Sequence, residues 1–263
     1  MTVRPQDLHE DHVLLCAAAR EAGALALDYF NNGVDSWDKE SDGSPVSEAD
    51  LAVDALLRQR LTDARPDYGW LSEETEDDPA RLTRKRVWIV DPIDGTRAFL
   101  KNVPEFTVCA ALVEDGVSVA GVVFNPAKDE FFEATLGGGA RLNDEPIAPT
   151  REDDLGRAHY LASRRTLEYQ NWPRPASHIK STWMNSIAYR MVLVAAGRFD
   201  AAFSLTGKSD WDIAAADLIV REAGGCNTTL TGDSFVYNRS EPRHPNVVTC
   251  GPALHGPLID LLG

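Results

Sequence analysis

The stretch that decides the fold reads Val87-Trp88-Ile89-Val90-Asp91-Pro92-Ile93-Asp94-Gly95-Thr96. Its first four residues are a short apolar run of the kind that forms a buried strand. The strand should end at Asp91-Pro92, because proline has no N–H to donate to a sheet and restricts the residue before it. Asp94-Gly95 is a turn signal, and Thr96 follows directly. The stretch therefore predicts two carboxylates on one tight turn at the end of a strand.

The chemistry of this turn follows from the closeness of its two acids. Asp91 and Asp94 would repel each other, and a hard cation with oxygen ligands, most commonly Mg²⁺, relieves such repulsion. Gly95 and Thr96 offer N–H groups and a hydroxyl suited to phosphate oxygens at a helix start. Asp-Pro and Asp-Gly pairs are also common in surface turns, so a structural turn is the alternative for this stretch taken alone.

Two further segments favour a site over a structural turn. Trp70-Leu-Ser-Glu73-Glu74 ends a second short apolar stretch on paired acids. Ser209-Asp-Trp-Asp212 opens a run with apolar residues at helical spacing, which Gly224-Gly225 closes. Three acidic ends of apolar elements are hard to explain as features that only improve solubility.

The remaining pattern predicts a mixture of helices and strands. Apolar residues at helical spacing predict helices over residues 7–30, 47–64, 185–196 and 211–223. Short apolar runs predict strands over residues 69–72, 86–90, 106–113, 117–124, 130–135, 158–162 and 200–204. This order indicates a layered α+β architecture built from two successive halves, 1–150 and 151–263, in one compact unit.

Together these segments resemble the inositol monophosphatase superfamily of Mg²⁺-dependent, lithium-sensitive phosphomonoesterases. The resemblance rests on four motifs and spans nearly the whole chain in the family's order: Lys39 with Ser47-Glu-Ala-Asp50, Glu73-Glu74, Asp91-Pro-Ile-Asp-Gly-Thr96, and Trp211-Asp-Ile-Ala-Ala215 before Glu222-Ala-Gly-Gly225. It implies an α-β-α-β-α sandwich and a homodimer. A degenerate member that only binds phosphate is the non-enzymatic alternative, and the complete set of carboxylates argues against it.

The resemblance also implies a role for each site residue. Thr96 with Glu73 would orient and deprotonate an attacking water, and Asp50 would support Thr96 from behind. An acid favoured at a helix start is the alternative for Asp50, and a solvated loop lysine is the alternative for Lys39. Lys39, Glu74 and Arg165 are further possible site residues. Two or three Mg²⁺ ions would be bound by Glu73, Asp91, the Ile93 carbonyl, Asp94 and Asp212. Substrate would contact Asp94, Gly95, Thr96, Ser163, Arg164, Lys208 and Asp212.

The identity of the substrate depends on a departure from the family. Inositol-specific members carry an acid seven positions before the Trp-Asp aspartate, and here that position is Leu205, which cannot accept hydrogen bonds from ring hydroxyls. Arg164, Arg165 and Lys208 are expected near the rim, where they would bind a second anionic group. The acidic stretch 73–78 resembles bacterial 3′(2′),5′-bisphosphate nucleotidases. We therefore expect adenosine 3′,5′-bisphosphate as substrate, with inositol 1-phosphate and histidinol phosphate as alternatives.

Composition limits the partners of the chain. Lys plus Arg number 26 against 41 for Asp plus Glu, a net charge of −15, which argues against nucleic-acid polymers and anionic membrane surfaces. We predict no signal peptide and no membrane span, since the apolar run 13–19 is too short to cross a bilayer. The four cysteines show no Cys-x-x-Cys pattern, which is typical of buried free thiols in a cytoplasmic protein.

Overall fold

The computed structural model describes residues 5–39, 43–168 and 178–263, except the side chains of residues 5–7 and 165. The helices in these ranges are α1 (Pro5–Asn32), α2 (Glu48–Ala64), α3 (Thr96–Phe99), α4 (Arg164–Glu168), α5 (Ile187–Ala195), α6 (Asp210–Glu222) and α7 (Pro252–Leu262), with a 3₁₀ helix at Pro79–Thr83. The strands are β1 (Ser36–Asp38), β2 (Pro45–Ser47), β3 (Gly69–Ser72), β4 (Arg86–Asp94), β5 (Thr107–Glu114), β6 (Val117–Asn125), β7 (Glu130–Thr135), β8 (Gly139–Leu142), β9 (Glu145–Pro146), β10 (His159–Leu161), β11 (Lys180–Thr182), β12 (Ala201–Ser204), β13 (Lys208–Ser209), β14 (Cys226–Thr228), β15 (Arg243–His244) and β16 (Val247–Cys250). None of the described helices has both the length and the apolar character that crossing a membrane requires.

Seven strands form the larger sheet, in the spatial order β3-β4-β5-β6-β7-β8-β9. β3 and β4 run parallel, and each later pair is antiparallel. Both faces of this sheet are covered, so its inner strands are apolar on both sides. In β4, Trp88 and Val90 pack with α1 and α2, whereas Val87 and Ile89 pack with α5 and α6.

The smaller sheet has the order β11-β10-β12-β16-β14. Its first three strands are parallel, and β16 pairs antiparallel with both β12 and β14. Helices α5 and α6 lie between the two sheets, because their residues share one hydrophobic core with Ile89 of the larger sheet and with Leu161 and Ala202 of the smaller one. Helix α7 covers the outer face of the smaller sheet through Leu254 and Leu258. These layers confirm the predicted α-β-α-β-α sandwich.

Strand β4 differs from its prediction at the decisive stretch. The strand does not end at Asp91-Pro92 but continues to Asp94, because pairing with β5 resumes where Asp94 lies opposite Thr107. The register shifts between Asp91 and Asp94, and a bulge of this kind accommodates a proline that cannot donate to the ladder. The irregularity turns two acids of one strand toward a common point.

Elements in the last forty residues do not follow from the sequence pattern. Helix α7 is not predicted, since Gly256-Pro257 inside that helix is typical of a turn. Packing overrides this local signal, because Leu254, Leu258 and Leu262 follow helical spacing and are buried. The prediction that the cysteines are buried is correct only for Cys109 and Cys250. Cys16 and Cys226 are half-buried, and all four are free thiols.

Candidate active site

Three acidic side chains from two layers meet at the end of β4. Asp91 and Asp94 come from the irregular end of that strand, and Asp212 comes from the first turn of α6. One carboxylate oxygen from each lies within 4.8 Å of the others. The structure therefore brings together acids that are more than 110 positions apart in the sequence.

Asp94 is held by the start of α5. Its Oδ2 accepts a hydrogen bond from the Ser186 hydroxyl at 2.6 Å and from the Ala188 N–H at 2.7 Å. Ser186 also caps α5, since its hydroxyl accepts from the Tyr189 N–H. Burial raises the pKa of Asp94, and these two hydrogen bonds oppose that rise by favouring the charged form. One carboxylate oxygen is thus fixed, and the other is left for the cluster.

Asp91 and Asp212 are fixed by their own backbone surroundings. Asp91 accepts from the Ile93 N–H at 3.1 Å, and Asp212 accepts from the Ser209 N–H at 2.6 Å in the capping box of α6. Burial raises the pKa of Asp91 well above its usual value, and the neighbouring carboxylates raise it further. Burial likewise raises the pKa of Asp212 to about 7, although Lys208 opposes the rise. Both groups are therefore hard to keep ionised without a compensating cation.

The donor set fits a hard divalent cation. Its atoms are carboxylate oxygens of Asp91, Asp94 and Asp212, and the cavity beside them is also lined by Glu73 and Ile93. Oxygen-only sites of this charge suit Mg²⁺ and offer no soft ligand for zinc. A cation among these oxygens would replace mutual repulsion by attraction, so the cluster could hold a metal ion.

Thr96 stands between this cluster and the start of α2. Its hydroxyl lies 3.1 Å from the Ile93 carbonyl and 3.3 Å from Asp50 Oδ1, and its one proton can be donated to either. Asp50 is a capping-box residue, because Oδ2 accepts from both the N–H and the hydroxyl of Ser47. Burial raises the pKa of Asp50 to about 6, and the hydrogen bonds from Ser47 limit that rise. The helix-start role and the contact with Thr96 are thus both present.

Lys39 connects the two acids that follow β3. Its Nζ lies 3.0 Å from a carboxylate oxygen of Glu73 and 2.7 Å from one of Glu74. Burial would lower the pKa of Lys39, but the charges of Glu73 and Glu74 outweigh it and raise the pKa. Burial raises the pKa of Glu74 to about 7 against the effect of Lys39. Glu73 lines the cavity and Glu74 does not. The two ion pairs of Lys39 therefore connect an acid in the wall of the cavity to an acid outside it.

Gly95 supplies the turn that brings Thr96 into place. Its φ is +101°, in the left-handed region, and an added Cβ would lie 2.8 Å from the backbone oxygen of Glu105. In the described residues no group accepts a hydrogen bond from the N–H of Gly95 or of Thr96. Gly95 and Thr96 line the cavity, and the phosphate contact expected of their N–H groups stays a prediction.

The cavity has a volume of about 300 Å³, which suits a small molecule. Residues that the sequence reasoning did not select also line it: Ser44, Pro45, Arg97, Trp183, Asn185, Arg190, Ser204 and Thr206. Lys208, which it did select, lines the cavity too. The missed residues come from β2, α3, the middle of α5, the end of β12 and the loops beside these elements, and only the folded chain brings them together.

Arg190 is the most unusual of the missed residues. It is 3 % exposed, and its guanidinium donates only to backbone carbonyls of Ser186, Leu161 and Phe203, over 3.3–3.5 Å, among the hydrogen bonds of the described residues. Burial lowers the pKa of Arg190 to about 10, against the attraction of nearby carboxylates. The guanidinium also lies 4.9 Å from the ring centre of Trp183. A lone arginine in the otherwise apolar run 187–196 was the signal that could have identified it.

Some predicted substrate residues lie elsewhere. Ser163 and Arg164 are not among the described residues that line the cavity, and the Ser163 hydroxyl contacts Thr166 at 2.6 Å. The side chain of Arg165 lies outside the described residues. Leu205 packs against the core beneath α7, while its neighbours Ser204 and Thr206 reach the cavity. The substrate contacts of Ser163 and Arg164 stay predictions.

Comparisons with known proteins agree with this geometry. The inositol monophosphatase family model matches residues 7–260. The chain is 36% identical over 218 residues to the inositol-1-monophosphatase of Rhizobium meliloti, covering 78% of this chain and 77% of that one. It is 36% identical over 234 residues to the histidinol-phosphatase of Mycobacterium tuberculosis, covering 85% and 89% of the two chains. The solved structure of the Thermotoga maritima IMPase has a TM-score of 0.79 at 27% identity and covers 93% of each chain. This chain therefore belongs to the inositol monophosphatase family and is a phosphoric monoester hydrolase.

Proposed function

We propose that the enzyme is a Mg²⁺-dependent, Li⁺-sensitive phosphomonoesterase whose substrate carries a second anionic group. The observation that supports the metal dependence is the meeting of three carboxylates, each held by hydrogen bonds, at the end of β4 and the start of α6. We assign the metal ligands to Glu73, the Ile93 carbonyl and this group of acids. When bound, such ions stabilise charge on phosphate oxygens as Lewis acids and make water more acidic.

The chain's own residues account for positioning. In the proposed mechanism the N–H groups of Gly95 and Thr96 hold phosphate oxygens beside the cluster. The Thr96 hydroxyl directs its proton toward Asp50 and turns an oxygen lone pair toward the attacking water. Glu73 accepts the proton of that water, so that attack on phosphorus proceeds in line without a phosphoenzyme. Asp50 acts through Thr96, because Ser47 fixes one of its oxygens and leaves the other for the hydroxyl.

The basic residues that line the cavity support a second anionic group on the substrate. Lys208 and Arg97 line the cavity, and the buried Arg190 has only backbone carbonyls to donate to among its hydrogen bonds. A charge-assisted contact from a second phosphate would satisfy these donors better than a neutral hydroxyl. Trp183 is 53 % exposed in the lining of the same cavity and offers a flat surface for a base. These features favour adenosine 3′,5′-bisphosphate, the substrate that we propose.

The curated relatives give a second candidate. Proteins named inositol-1-monophosphatase and histidinol-phosphatase are each 36% identical to this chain, which favours a monoester of a small polyol or amino alcohol. Histidinol phosphate brings its own ammonium group, which would lie beside Lys208 and Arg97 and be repelled. Inositol 1-phosphate brings ring hydroxyls, and no acidic side chain at position 205 accepts from them.

The free thiols at all four cysteines suit a reducing compartment, so we propose a cytoplasmic enzyme.

Phosphate release from a panel of substrates tests the proposal. We expect adenosine 3′,5′-bisphosphate to have a higher kcat/KM than inositol 1-phosphate, histidinol phosphate or fructose 1,6-bisphosphate, with activity lost in excess chelator and reduced by Li⁺. Lys208→Gln should raise KM for the bisphosphate more than KM for a simple monoester. The control is Lys101→Gln, an exposed lysine outside the cavity, which should change neither. Equal or higher kcat/KM for inositol 1-phosphate would refute the bisphosphate proposal, and full activity in chelator would refute the metal dependence.

A further inference from the structure

A second cluster of ligating atoms lies between α1 and the larger sheet. His12 and Cys16 are one turn apart on α1, and Glu133 on β7 faces them. His12 Nε2 lies 3.3 Å from Cys16 Sγ and 3.2 Å from Glu133 Oε2, and Sγ lies 3.1 Å from that same Oε2. The three atoms therefore form a nearly equilateral triangle of one nitrogen, one sulfur and one oxygen.

The size of this triangle suits a tetrahedral metal ion. Zinc binds nitrogen and oxygen at about 2.0–2.1 Å and sulfur at about 2.3 Å, which separates neighbouring tetrahedral ligands by roughly 3.3–3.6 Å. The observed separations of 3.1–3.3 Å need to widen by only a few tenths of an ångström. His12 and Glu133 keep side-chain exposures of 19 % and 15 %, so a water molecule can reach the fourth position.

The cluster is separate from the acidic site. The ladder of the larger sheet places Asp91 in line with Phe132 through Cys109 and Val123, which is three strand spacings, or about 14 Å. Phe132 packs with the core that contains α5 and α6. Its neighbour Glu133 points to the opposite face, toward α1, since successive side chains of a strand alternate. A metal ion bound by one set of ligands cannot be shared with the other.

We propose that His12, Cys16 and Glu133 form a binding site for Zn²⁺. The donor set decides the ion, because a thiolate with an imidazole selects zinc over the hard cations that suit carboxylates. On binding, the S–H bond of Cys16 breaks, a sulfur–zinc bond forms, and the proton passes to the buffer. Without zinc the Cys16 thiol donates a hydrogen bond to Glu133 Oε2 at 3.1 Å, so the proton that zinc would displace lies between two of the proposed ligands.

The site would fix α1 to the sheet. Helix α1 already contacts the sheet through apolar side chains and through the ion pair of Asp11 with Arg86 of β4, and zinc would add a bond between the first half of the helix and β7. Zinc binds the folded arrangement and not a dispersed set of ligands, so it should raise the thermal stability. At a hundredfold excess over its Kd, the expected rise in Tm is roughly 5–10 °C for a chain of this size.

Cobalt(II) is the probe that separates the two sites in the full-length protein. With Mg²⁺ in excess to occupy the oxygen ligands, Co²⁺ should give the near-ultraviolet charge-transfer band of a cobalt–thiolate bond, and Zn²⁺ should abolish it. Cys16→Ser should lose the band. Cys226→Ser, which changes the other half-buried cysteine, should keep it. No band in the wild type, or an unchanged band in Cys16→Ser, would overturn the proposal.

Thermal melts give a second readout that does not depend on colour. Zn²⁺ added in the presence of Mg²⁺ should raise the Tm of the wild type and of Cys226→Ser by the same amount. His12→Gln and Glu133→Gln keep the hydrogen-bonding capacity of their positions but remove a ligand, so the rise should be lost in both. If the two variants fold with the wild-type Tm and still gain the full increment from Zn²⁺, the site lies elsewhere and the proposal fails.

Discussion

Replacing Asp91 by asparagine should stabilise the metal-free protein while abolishing its activity. Asp91 is 1 % exposed, and oxygens of Asp94 and Asp212 lie within 4.8 Å of its own. Two unit charges at that separation repel by about 3.5 kcal/mol at an effective dielectric constant of 20. The asparagine side chain would keep the shape and the acceptor for the Ile93 N–H, so the repulsion is removed at little structural cost.

The stabilisation expected from Asp91→Asn is smaller than the sum of two such repulsions, because the carboxyl groups take up protons instead of staying fully charged. We expect Asp91→Asn to raise the free energy of unfolding in chelator by at least about 2 kcal/mol at pH 8, a rise in Tm of roughly 4–8 °C. The pKa of Asp212 is about 7 in the folded protein against an ordinary value of 3.8, so the folded state binds more protons in this range. Wild-type stability in chelator should therefore increase from pH 8 to pH 6, and the advantage of the variant should shrink.

The matched control is Asp217→Asn, the same substitution at another buried acid. Asp217 has partners, since it accepts from Arg221 Nε at 3.2 Å and from Asn227 Nδ2 at 2.9 Å. Here the swap removes a charge that is compensated, and it should destabilise the protein by about 1.5–3 kcal/mol. Thermal melts in chelator and in excess Mg²⁺ measure both variants. If Asp91→Asn lowers the Tm in chelator as Asp217→Asn does, the carboxylates do not repel as argued.

Three other substitutions test the site. Gly95→Ala should lower the free energy of unfolding measured in urea by about 1–3 kcal/mol, because its φ of +101° and a clash at 2.8 Å disfavour a side chain. The control Gly33→Ala should lower it by less, since Gly33 has a φ of +82° but an added Cβ would meet nothing within 4 Å. Asp50→Asn should lower kcat by about tenfold or more with KM within about twofold, since Thr96 loses its charged acceptor; a change in KM alone would contradict the positioning role. Ser163→Ala should leave KM within about twofold, since Ser163 does not line the cavity; a tenfold rise would instead support the contact predicted from the sequence.

Sequence patterns were sufficient to predict the part of the site whose residues are close together in the chain. Asp91, Asp94 and Thr96 lie within six residues, so turn chemistry alone predicted that their side chains converge. The helix over residues 211–223 was likewise predicted from spacing, and its acidic first turn marked Asp212. What spacing could not supply is the angle at which α6 meets β4, which depends on packing between the two sheets. The family resemblance supplied that juxtaposition, and the structure shows it.

Patterns failed where a residue's role depends on a distant chain segment. Arg190 occupies a core-facing position of an apolar helix, where the helical pattern predicts an apolar side chain and not a charged one. It is tolerated because the helix places its guanidinium against backbone carbonyls of β10 and β12, strands that meet only in the folded chain. Ser163 and Arg164 were selected from the sequence as substrate contacts, and neither is among the described residues that line the cavity, so their contacts stay predictions.

The position of the acidic cluster explains why its charges are tolerated at all. Asp91 lies near the end of β4, whose apolar residues face two layers of the core, and Asp212 lies in the first turn of α6, which packs between both sheets. Repulsion between these carboxylates would push α6 away from the larger sheet. A cation bound by both acids would hold the helix and the sheet together instead. The stability of the enzyme should therefore follow the concentration of free Mg²⁺ by mass action, and the layers should separate more readily when it is withdrawn. Hydrogen exchange at the first turn of α6 with and without chelator would show this coupling, and equal protection in both would refute it.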